Sequence, residues 1–142
     1  MSEGTRNGAE GLPSGVRTRP RLVLVADDDP DALDMVCEMV SACGCVALTA
    51  RTAREAVAIV QQTTPHMALI DLGLADAEGV QLAEQLRLRC GEGVILVAIT
   101  GWLGATSEQR ARAAGYHHYL VKPFAPDVLR RLLALVCAHP AR

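Results

Sequence analysis

The chain has 142 residues, of which 50% are hydrophobic and 21% charged, and its formal net charge is -2. This length and hydrophobic content fit one globular domain with a substantial core. A net charge so close to zero gives no general attraction to nucleic acid, so direct DNA binding is not expected. No apolar run approaches the roughly 18–20 residues of a membrane-spanning helix, and the N-terminus lacks an apolar signal segment. We therefore expect a soluble, cytoplasmic protein without membrane contact.

The first segment, residues 1–20, is rich in glycine, arginine and other residues with little apolar surface to bury. It is predicted to be a disordered N-terminal lead. Residues 21–138 form the predicted folded domain, followed by a short C-terminal tail over residues 139–142. The five cysteines are Cys37, Cys43, Cys45, Cys90 and Cys137. Most have apolar neighbours, and no second cysteine or histidine cluster completes a metal site, so we expect reduced core residues.

Five short apolar runs predict β-strands at residues 22–26, 46–48, 67–70, 94–99 and 119–121. Amphipathic stretches with the spacing of a buried helix face follow the first, second, third and fifth runs, and a shorter, less periodic helix is predicted over residues 107–114. Helix boundaries have matching chemistry, since Asp29 precedes Pro30, Thr52 and Glu55 form a capping box, and Pro126 begins the last helix.

The strands are almost wholly apolar rather than alternating, which indicates burial on both faces. Such strands are typical of a parallel sheet that is covered by helices on each side. The predicted fold is therefore α/β, a (βα)5 doubly wound three-layer sandwich with a five-stranded parallel sheet.

In doubly wound sheets, ligands bind beyond the carboxyl ends of the strands, so the residues that follow each apolar run are the candidate site. Three carboxylates follow the first run, one follows the third, a hydroxyl residue follows the fourth and an ammonium follows the fifth. These residues and their immediate neighbours are Asp27, Asp28, Asp29, Asp71, Thr100, Gly101, Lys122 and Pro123. The same sheet edge is thus expected to hold all of them.

Clustered carboxylates require a cation, because two carboxylates about 4 Å apart repel by roughly 4 kcal/mol at an effective dielectric of 20. Asp27, Asp28 and Asp71 offer only oxygen ligands, which favours Mg2+. Mg2+ in turn favours phosphate chemistry, since it neutralises charge on phosphoryl oxygens. Asp71 is then a candidate nucleophile that forms an aspartyl phosphate.

Lys122 is the only lysine of the chain, whereas the other 13 basic residues are all arginine. A compact ammonium reaches between a carboxylate and a phosphoryl oxygen as a point charge, which a planar guanidinium does less well. We therefore predict a functional role for Lys122.

These motifs resemble the response-regulator receiver domains of two-component phosphorelays from about Arg21 to Cys137. Residues 22–30 resemble the family's acidic strand end, residues 69–74 its acceptor site, residues 98–101 its switch hydroxyl and residues 119–124 its lysine motif. Each motif alone has a purely structural explanation, for example a helix cap for the aspartates or a surface turn for Lys122-Pro123. Their joint occurrence at four strand ends, in this order, favours the family.

The resemblance implies the receiver strand order 2-1-3-4-5 and a role for each site residue. Asp28 and Asp71 would coordinate Mg2+ together with the backbone carbonyl of Gly73, and Asp27 would act through water. Thr100 and Lys122 would each contact a phosphoryl oxygen on phosphorylated Asp71. The domain would be a self-assisted phosphoacceptor with slow autodephosphorylation rather than an enzyme.

The resemblance also implies partners. A histidine kinase or a histidine phosphotransfer protein would supply the phosphoryl group, and the face of helix 4, strand 5 and helix 5 would contact a downstream protein target. Tyr119 occupies the aromatic switch position behind Thr100, and a homodimer is an open alternative for the active form. Two features depart from the pattern or qualify it: Ala75 stands where the family usually has proline, and Trp102 would lie beside the site and shield the phosphate from water.

Three other classes of protein remain to be weighed. A phosphatase of the haloacid dehalogenase type needs a second aspartate two residues after the nucleophile, where this chain has Gly73. A flavin-binding flavodoxin needs a hydroxyl- and glycine-rich phosphate loop after the first strand, where this chain has carboxylates. A degenerate receiver, which binds partners without phosphorylation, stays open as the alternative function.

Overall fold

The computed structural model describes residues 20–74, 79–101 and 104–137. Strands and helices alternate along them. The strands are β1 (Leu22–Ala26), β2 (Val46–Ala50), β3 (Met67–Asp71), β4 (Ile95–Thr100) and β5 (His118–Val121). The helices are α1 (Pro30–Ala42), α2 (Ala53–Gln62), α3 (Gly79–Cys90), α4 (Ala105–Ala114) and α5 (Pro126–Leu133), with a 3-10 turn at Gly91–Gly93. Residues 1–19 of the predicted lead and all of the predicted tail lie outside the described residues.

The strands form one five-stranded parallel sheet in the order β2-β1-β3-β4-β5. This order and the α/β architecture confirm the predicted fold. The register aligns Asp71 with Ile99 and Thr100 with Val121. Because β3, β4 and β5 end at nearly the same level, residues at their carboxyl ends lie close together.

The core consists of two apolar clusters, one on each face of the sheet. One cluster packs α2, α3 and α4 against the sheet, and the other packs α1 and α5. Every residue of β3 is buried, as expected for a central strand. The edge strand β2 departs from the predicted burial on both faces, since Val46 is 43% exposed because its outer side has no neighbouring strand.

Two helices begin at the predicted caps. The Asp29 side chain accepts a hydrogen bond from the backbone N–H of Asp31, and Thr52 accepts one from Glu55. Helix α4 begins two residues earlier than predicted, at Ala105, and is capped after Ala114 by Gly115, which has a φ of +113°. That left-handed backbone conformation suits glycine.

The expectation that all cysteines are reduced is wrong for two of them. Cys45 and Cys137 form a disulfide, whereas Cys37, Cys43 and Cys90 are free thiols. The pairing joins residues that are 92 positions apart in the sequence. Only the packing of α5 beside α1 brings them together, so no local sequence pattern reveals it.

Among the described residues, no helix combines the length and the apolar composition needed to cross a lipid bilayer.

Candidate functional site

Four strands deliver polar side chains to one edge of the sheet. Asp27 follows β1, Asp71 ends β3, Thr100 ends β4 and Lys122 follows β5. Parallel hydrogen bonding continues just past the strands, because Lys122 donates its backbone N–H to the Thr100 carbonyl over 2.8 Å. The predicted convergence of strand ends is thus present in the structure.

The centre of the edge is an ion-pair triad formed by Asp27, Asp71 and Lys122. Lys122 Nζ lies 3.2 Å from Asp71 Oδ2 and 3.4 Å from Asp27 Oδ2. Asp27 and Asp71 are 3% and 8% exposed and are the only buried charged residues in the described part of the chain. Two buried carboxylates of like charge are tolerated here because one ammonium bridges them.

Backbone N–H groups hold the other oxygen of each buried carboxylate. Asp29 donates its N–H to Asp27 Oδ1 over 2.9 Å, and Gly73 donates its N–H to Asp71 Oδ1 over 2.9 Å. A Cβ atom at Gly73 would lie 3.4 Å from Asp71 Oδ1, a contact that needs no movement. Both carboxylates are therefore oriented from two sides, by a backbone amide and by Lys122.

The electrostatics of the triad shift two pKa values. Burial raises the pKa of Asp27, and repulsion by Asp71 raises it further, although the Asp29 N–H and Lys122 act in the opposite direction. Partial burial tends to lower the pKa of Lys122, but the charges and hydrogen bonds of Asp71 and Asp27 outweigh it and raise the pKa above the usual value. Lys122 is therefore held as an ammonium.

The donor set fits a divalent cation with oxygen ligands. One carboxylate oxygen from each of Asp27, Asp28 and Asp71 lies within 4.8 Å of the others, and Asp28 is exposed at the mouth of the site. Gly73 is adjacent through its hydrogen bond to Asp71, so its backbone stands beside the cluster. Hard oxygen ligands without nitrogen or sulfur are those that Mg2+ prefers.

The remaining predicted neighbours occupy the rim of the site. Thr100 is half-buried at the end of β4, and Gly101 is exposed directly after it. Asp29 contributes its backbone N–H to Asp27, while its side chain caps α1. Trp102 lies outside the described residues. Pro123 follows Lys122 through a cis peptide bond.

Sequence reasoning missed an apolar cleft beside the triad. The cleft has a volume of about 420 Å³ and opens between α1 and the segment after β5. Met35, Val36, Ile99 and Phe124 are among its lining residues, with Asp27 and Lys122 at its polar end. Phe124 is the single phenylalanine of the chain. Its position directly after Lys122-Pro123 is the one sequence feature that could have indicated the cleft.

Tyr119, the predicted aromatic switch residue, contacts α4. Its hydroxyl donates a hydrogen bond to the Glu108 carbonyl over 3.2 Å. The Arg112 guanidinium lies over the ring, 5.1 Å from its centre, and also pairs with the Glu108 carboxylate at 2.9 Å. Tyr119 therefore links β5 to α4 on the face that was predicted to contact a downstream target.

The sequence profile described as "Response regulator receiver domain" matches residues 23–134. The chain belongs to the response regulator receiver domain family. Receiver domains are signalling domains of two-component systems and interact with histidine kinases and downstream targets.

Curated relatives support the assignment. An uncharacterized 14.6 kDa protein of Leptolyngbya boryana is 31% identical over 81% of this chain and 88% of its own length. The photosynthetic apparatus regulatory protein RegA of Rhodobacter capsulatus is 36% identical over 80% of this chain and 62% of its own. This receiver domain thus spans less than two thirds of RegA.

Solved structures share the fold. A CheY-like receiver domain protein from Methanospirillum hungatei JF-1 is 27% identical with a TM-score of 0.75, covering 80% of this chain and 91% of its own. The receiver domain of a sensor histidine kinase from Pseudomonas aeruginosa PAO1 is 22% identical with a TM-score of 0.73, covering 81% of this chain and 95% of its own, and it has a magnesium ion in its active site cleft.

Proposed function

We propose that this receiver domain accepts a phosphoryl group from a phosphohistidine onto Asp71, with the help of Mg2+, and changes conformation as a result. The observation that carries the proposal is the triad, in which one ammonium bridges two buried carboxylates at the end of three strands. A solely structural ion pair gains little from a second buried carboxylate. A phosphoacceptor site needs both, one to react and one to attract the cation.

The reaction is a single displacement at phosphorus. An oxygen of the Asp71 carboxylate forms a bond to phosphorus, the bond between phosphorus and the donor imidazole nitrogen breaks, and the electron pair remains on that nitrogen. The Gly73 N–H fixes the plane of the nucleophile, and Lys122 already faces Asp71 Oδ2. Lys122 can therefore pair with a phosphoryl oxygen with little movement of its ammonium.

The carboxylates of Asp28 and Asp71 and the Gly73 carbonyl would hold Mg2+ as its ligands, and Asp27 would act through water. When bound, the ion neutralises charge on the phosphoryl oxygens. The cleft beside the triad gives a route for the donor, since its apolar walls lead to Asp27 and Lys122.

The conformational response is proposed to pass from Thr100 to Tyr119. A phosphoryl group adds a charge of about -1.5 to -2 and three acceptor oxygens, which attract the Thr100 hydroxyl. Movement of Thr100 on β4 changes the surroundings of the Tyr119 ring on the adjacent strand β5. An inward turn of that ring breaks the hydrogen bond to the Glu108 carbonyl and frees α4 to shift.

The proposed partner surface is the face of α4, β5 and α5. A groove of about 440 Å³ crosses it, with Arg112, His118 and Arg131 beside the apolar Val128 and Leu135. Its basic and apolar lining suits a downstream protein with acidic and apolar groups, or a second receiver domain in a homodimer. The donor is proposed to be a histidine kinase or a histidine phosphotransfer protein.

Phosphorylation with small donors tests the proposal directly. We would incubate the chain with phosphoramidate, whose phosphorus–nitrogen bond mimics phosphohistidine, in the presence of Mg2+, and measure the intact mass. We expect one added phosphoryl group that hydroxylamine removes, with the label mapped to Asp71. EDTA and the variant Asp71→Asn should each abolish labelling, whereas the matched variant Asp34→Asn, which changes an exposed carboxylate on α1, should label normally.

Two results would overturn the proposal. One is an unlabelled wild-type chain with phosphoramidate and with acetyl phosphate, which would favour a phosphorylation-independent receiver. The other is a label that survives the Asp71→Asn substitution. A beryllofluoride complex gives a second measurement, since it should increase hydrogen exchange in α4 if the Tyr119 link to Glu108 breaks.

A further inference from the structure

The disulfide joins two distant parts of the chain at the amino edge of the sheet. Cys45 stands directly before β2, and Cys137 follows α5. Their Cα atoms are 5.7 Å apart, within the 4.4–6.8 Å range usual for disulfides. The ion-pair triad lies at the opposite, carboxyl edge of the sheet. The cysteine pair is therefore separate from the proposed phosphoryl-transfer site.

The fold holds both cysteines in place without help from the bond. Cys45 and Cys137 are 5% and 6% exposed and belong to the apolar cluster under α1 and α5. The Cys45 N–H donates to the Val40 carbonyl over 3.1 Å, and the Cys137 N–H donates to the Leu133 carbonyl over 2.8 Å. Packing and backbone hydrogen bonds thus position the two sulfur atoms, so that thiol and disulfide forms can share one backbone arrangement.

One of the two cysteines is positioned to become accessible first. Cys137 lies in the turn after α5, where Leu135 is 54% exposed. Opening of this turn breaks its backbone hydrogen bonds to Arg130, Leu132 and Leu133 and exposes the Cys137 sulfur. Cys45 is enclosed between the end of α1 and the start of β2, so its exposure requires a larger opening.

We propose that Cys45 and Cys137 are a reversible redox modification site that exchanges with small disulfides such as glutathione disulfide. The Cys137 thiolate attacks one sulfur of glutathione disulfide, forming a mixed disulfide and releasing one glutathione thiolate. The Cys45 thiolate then attacks the Cys137 sulfur and releases the second glutathione. Two cysteine thiols lose two electrons and two protons, and one glutathione disulfide becomes two glutathione molecules.

Oxidation has a defined structural effect, because it fastens the far end of α5 to the loop between α1 and β2. Helix α5 contributes Val128 and Leu132 to the groove of the proposed partner surface. The bond therefore restricts one wall of that groove while leaving the triad untouched. Redox state and phosphorylation would act on the same surface from opposite edges of the sheet.

Thiol counting in glutathione buffers tests the proposal. We would equilibrate the full chain at graded ratios of reduced glutathione to glutathione disulfide, quench with acid, denature, alkylate and map the labelled cysteines by mass spectrometry. Five cysteines should be labelled in reducing buffer, and three, namely Cys37, Cys43 and Cys90, in oxidising buffer. Hydrogen exchange at residues 134–137 should slow on oxidation.

Matched variants make the result specific. Cys43→Ser removes a free thiol two residues from the bridge and should leave the midpoint of the titration unchanged. Cys137→Ser should leave Cys45 without a protein partner and abolish the redox change in hydrogen exchange. The proposal fails if Cys45 and Cys137 are alkylated in every buffer, if Cys43 replaces one of them in the bond, or if excess reduced glutathione leaves the bond intact. None of these outcomes bears on phosphorylation of Asp71.

Discussion

Replacement of Asp27 by asparagine is expected to stabilise the metal-free domain, because burial of this carboxylate and its repulsion by Asp71 outweigh the attraction of Lys122. Lys122 Nζ lies 3.4 Å from Asp27 Oδ2, which gives an attraction of about 5 kcal/mol at an effective dielectric of 20. An oxygen of Asp71 lies within 4.8 Å, so Asp71 repels Asp27 by at least about 3.5 kcal/mol on the same scale. Burial, the largest cause of the raised pKa of Asp27, adds a cost of roughly several kcal/mol to the charged carboxylate. Burial and repulsion together therefore exceed the Lys122 attraction by roughly 2 kcal/mol before the site relaxes.

Relaxation and hydration at the open side of the site reduce this excess, and we expect Asp27→Asn to raise the free energy of unfolding by about 1 kcal/mol in EDTA. The asparagine amide oxygen can still accept the Asp29 N–H, so the backbone geometry is retained. For a domain of this size the change corresponds to a rise in Tm of about 4 °C. Asp34→Asn is the control, because it removes an exposed carboxylate of α1 that lies outside the cluster.

Mg2+ should reverse the order of stability. The wild type gains about 2.7 kcal/mol at a free Mg2+ concentration 100 times its Kd, whereas the variant, with one carboxylate fewer near the ion, gains less. Urea unfolding with EDTA and with Mg2+ measures both effects. If the variant is less stable than the wild type in EDTA, the Lys122 attraction dominates and the reasoning is wrong.

The raised pKa of Asp27 predicts the pH dependence of the same effect. An acid with a raised pKa in the folded state contributes stability below its unfolded pKa, about 4 for aspartate, and this contribution is lost as the pH rises through the folded value. Asp27→Asn should remove that loss. The stability gain of the variant should therefore shrink as the pH is lowered toward 4.

Two further predictions concern the amino edge of the sheet and the turn before β5. Burial lowers the pKa of His117, and the Arg87 charge lowers it further, while its Nδ1 accepts a hydrogen bond from the Leu96 N–H over 3.0 Å. Neutral His117 therefore contributes stability above the unfolded pKa of about 6.5, and this contribution is lost as the pH falls through the lower folded pKa. His117→Gln should flatten the pH dependence of urea unfolding between about pH 5 and 7. Gly115→Ala should lower the free energy of unfolding by about 1–2 kcal/mol, because φ is +113° and the new Cβ would lie 2.8 Å from Arg87 Nη2. Gly93→Ala, where no atom lies within 4 Å of the new Cβ, is the control. An unchanged pH profile, or equal effects of the two glycine substitutions, would contradict these predictions.

Much of the fold could be predicted because the strands of a doubly wound sheet are read directly from apolar runs. β1 was predicted with its observed bounds, and β3 to within one residue at its end, since Asp71 itself closes the strand. The meeting of Asp27, Asp71 and Lys122 followed from the rule that parallel strands end at one edge. The residues that directly follow the apolar runs are therefore enough to predict that the triad forms.

The contacts that sequence could not reveal are those that depend on how helices pack over the sheet. The Cys45–Cys137 pair requires α5 to lie beside α1, and the Tyr119 bond to Glu108 requires α4 to lie beside β5. No motif of the sequence singles out His117, which directly precedes β5. Its hydrogen bond to the Leu96 N–H depends on the register of β4 and β5, which the composition of neither strand specifies.

The solitary lysine gives the domain an unusual spectroscopic property. Because the only side-chain amine sits between two carboxylates, reductive methylation with a carbon-13 label would place a single side-chain reporter inside the triad. The α-amino group titrates near 8 and is readily told apart. The chemical shift of that one methylated amine would report, without mutation, whenever a cation or an anion alters the charge around Asp71.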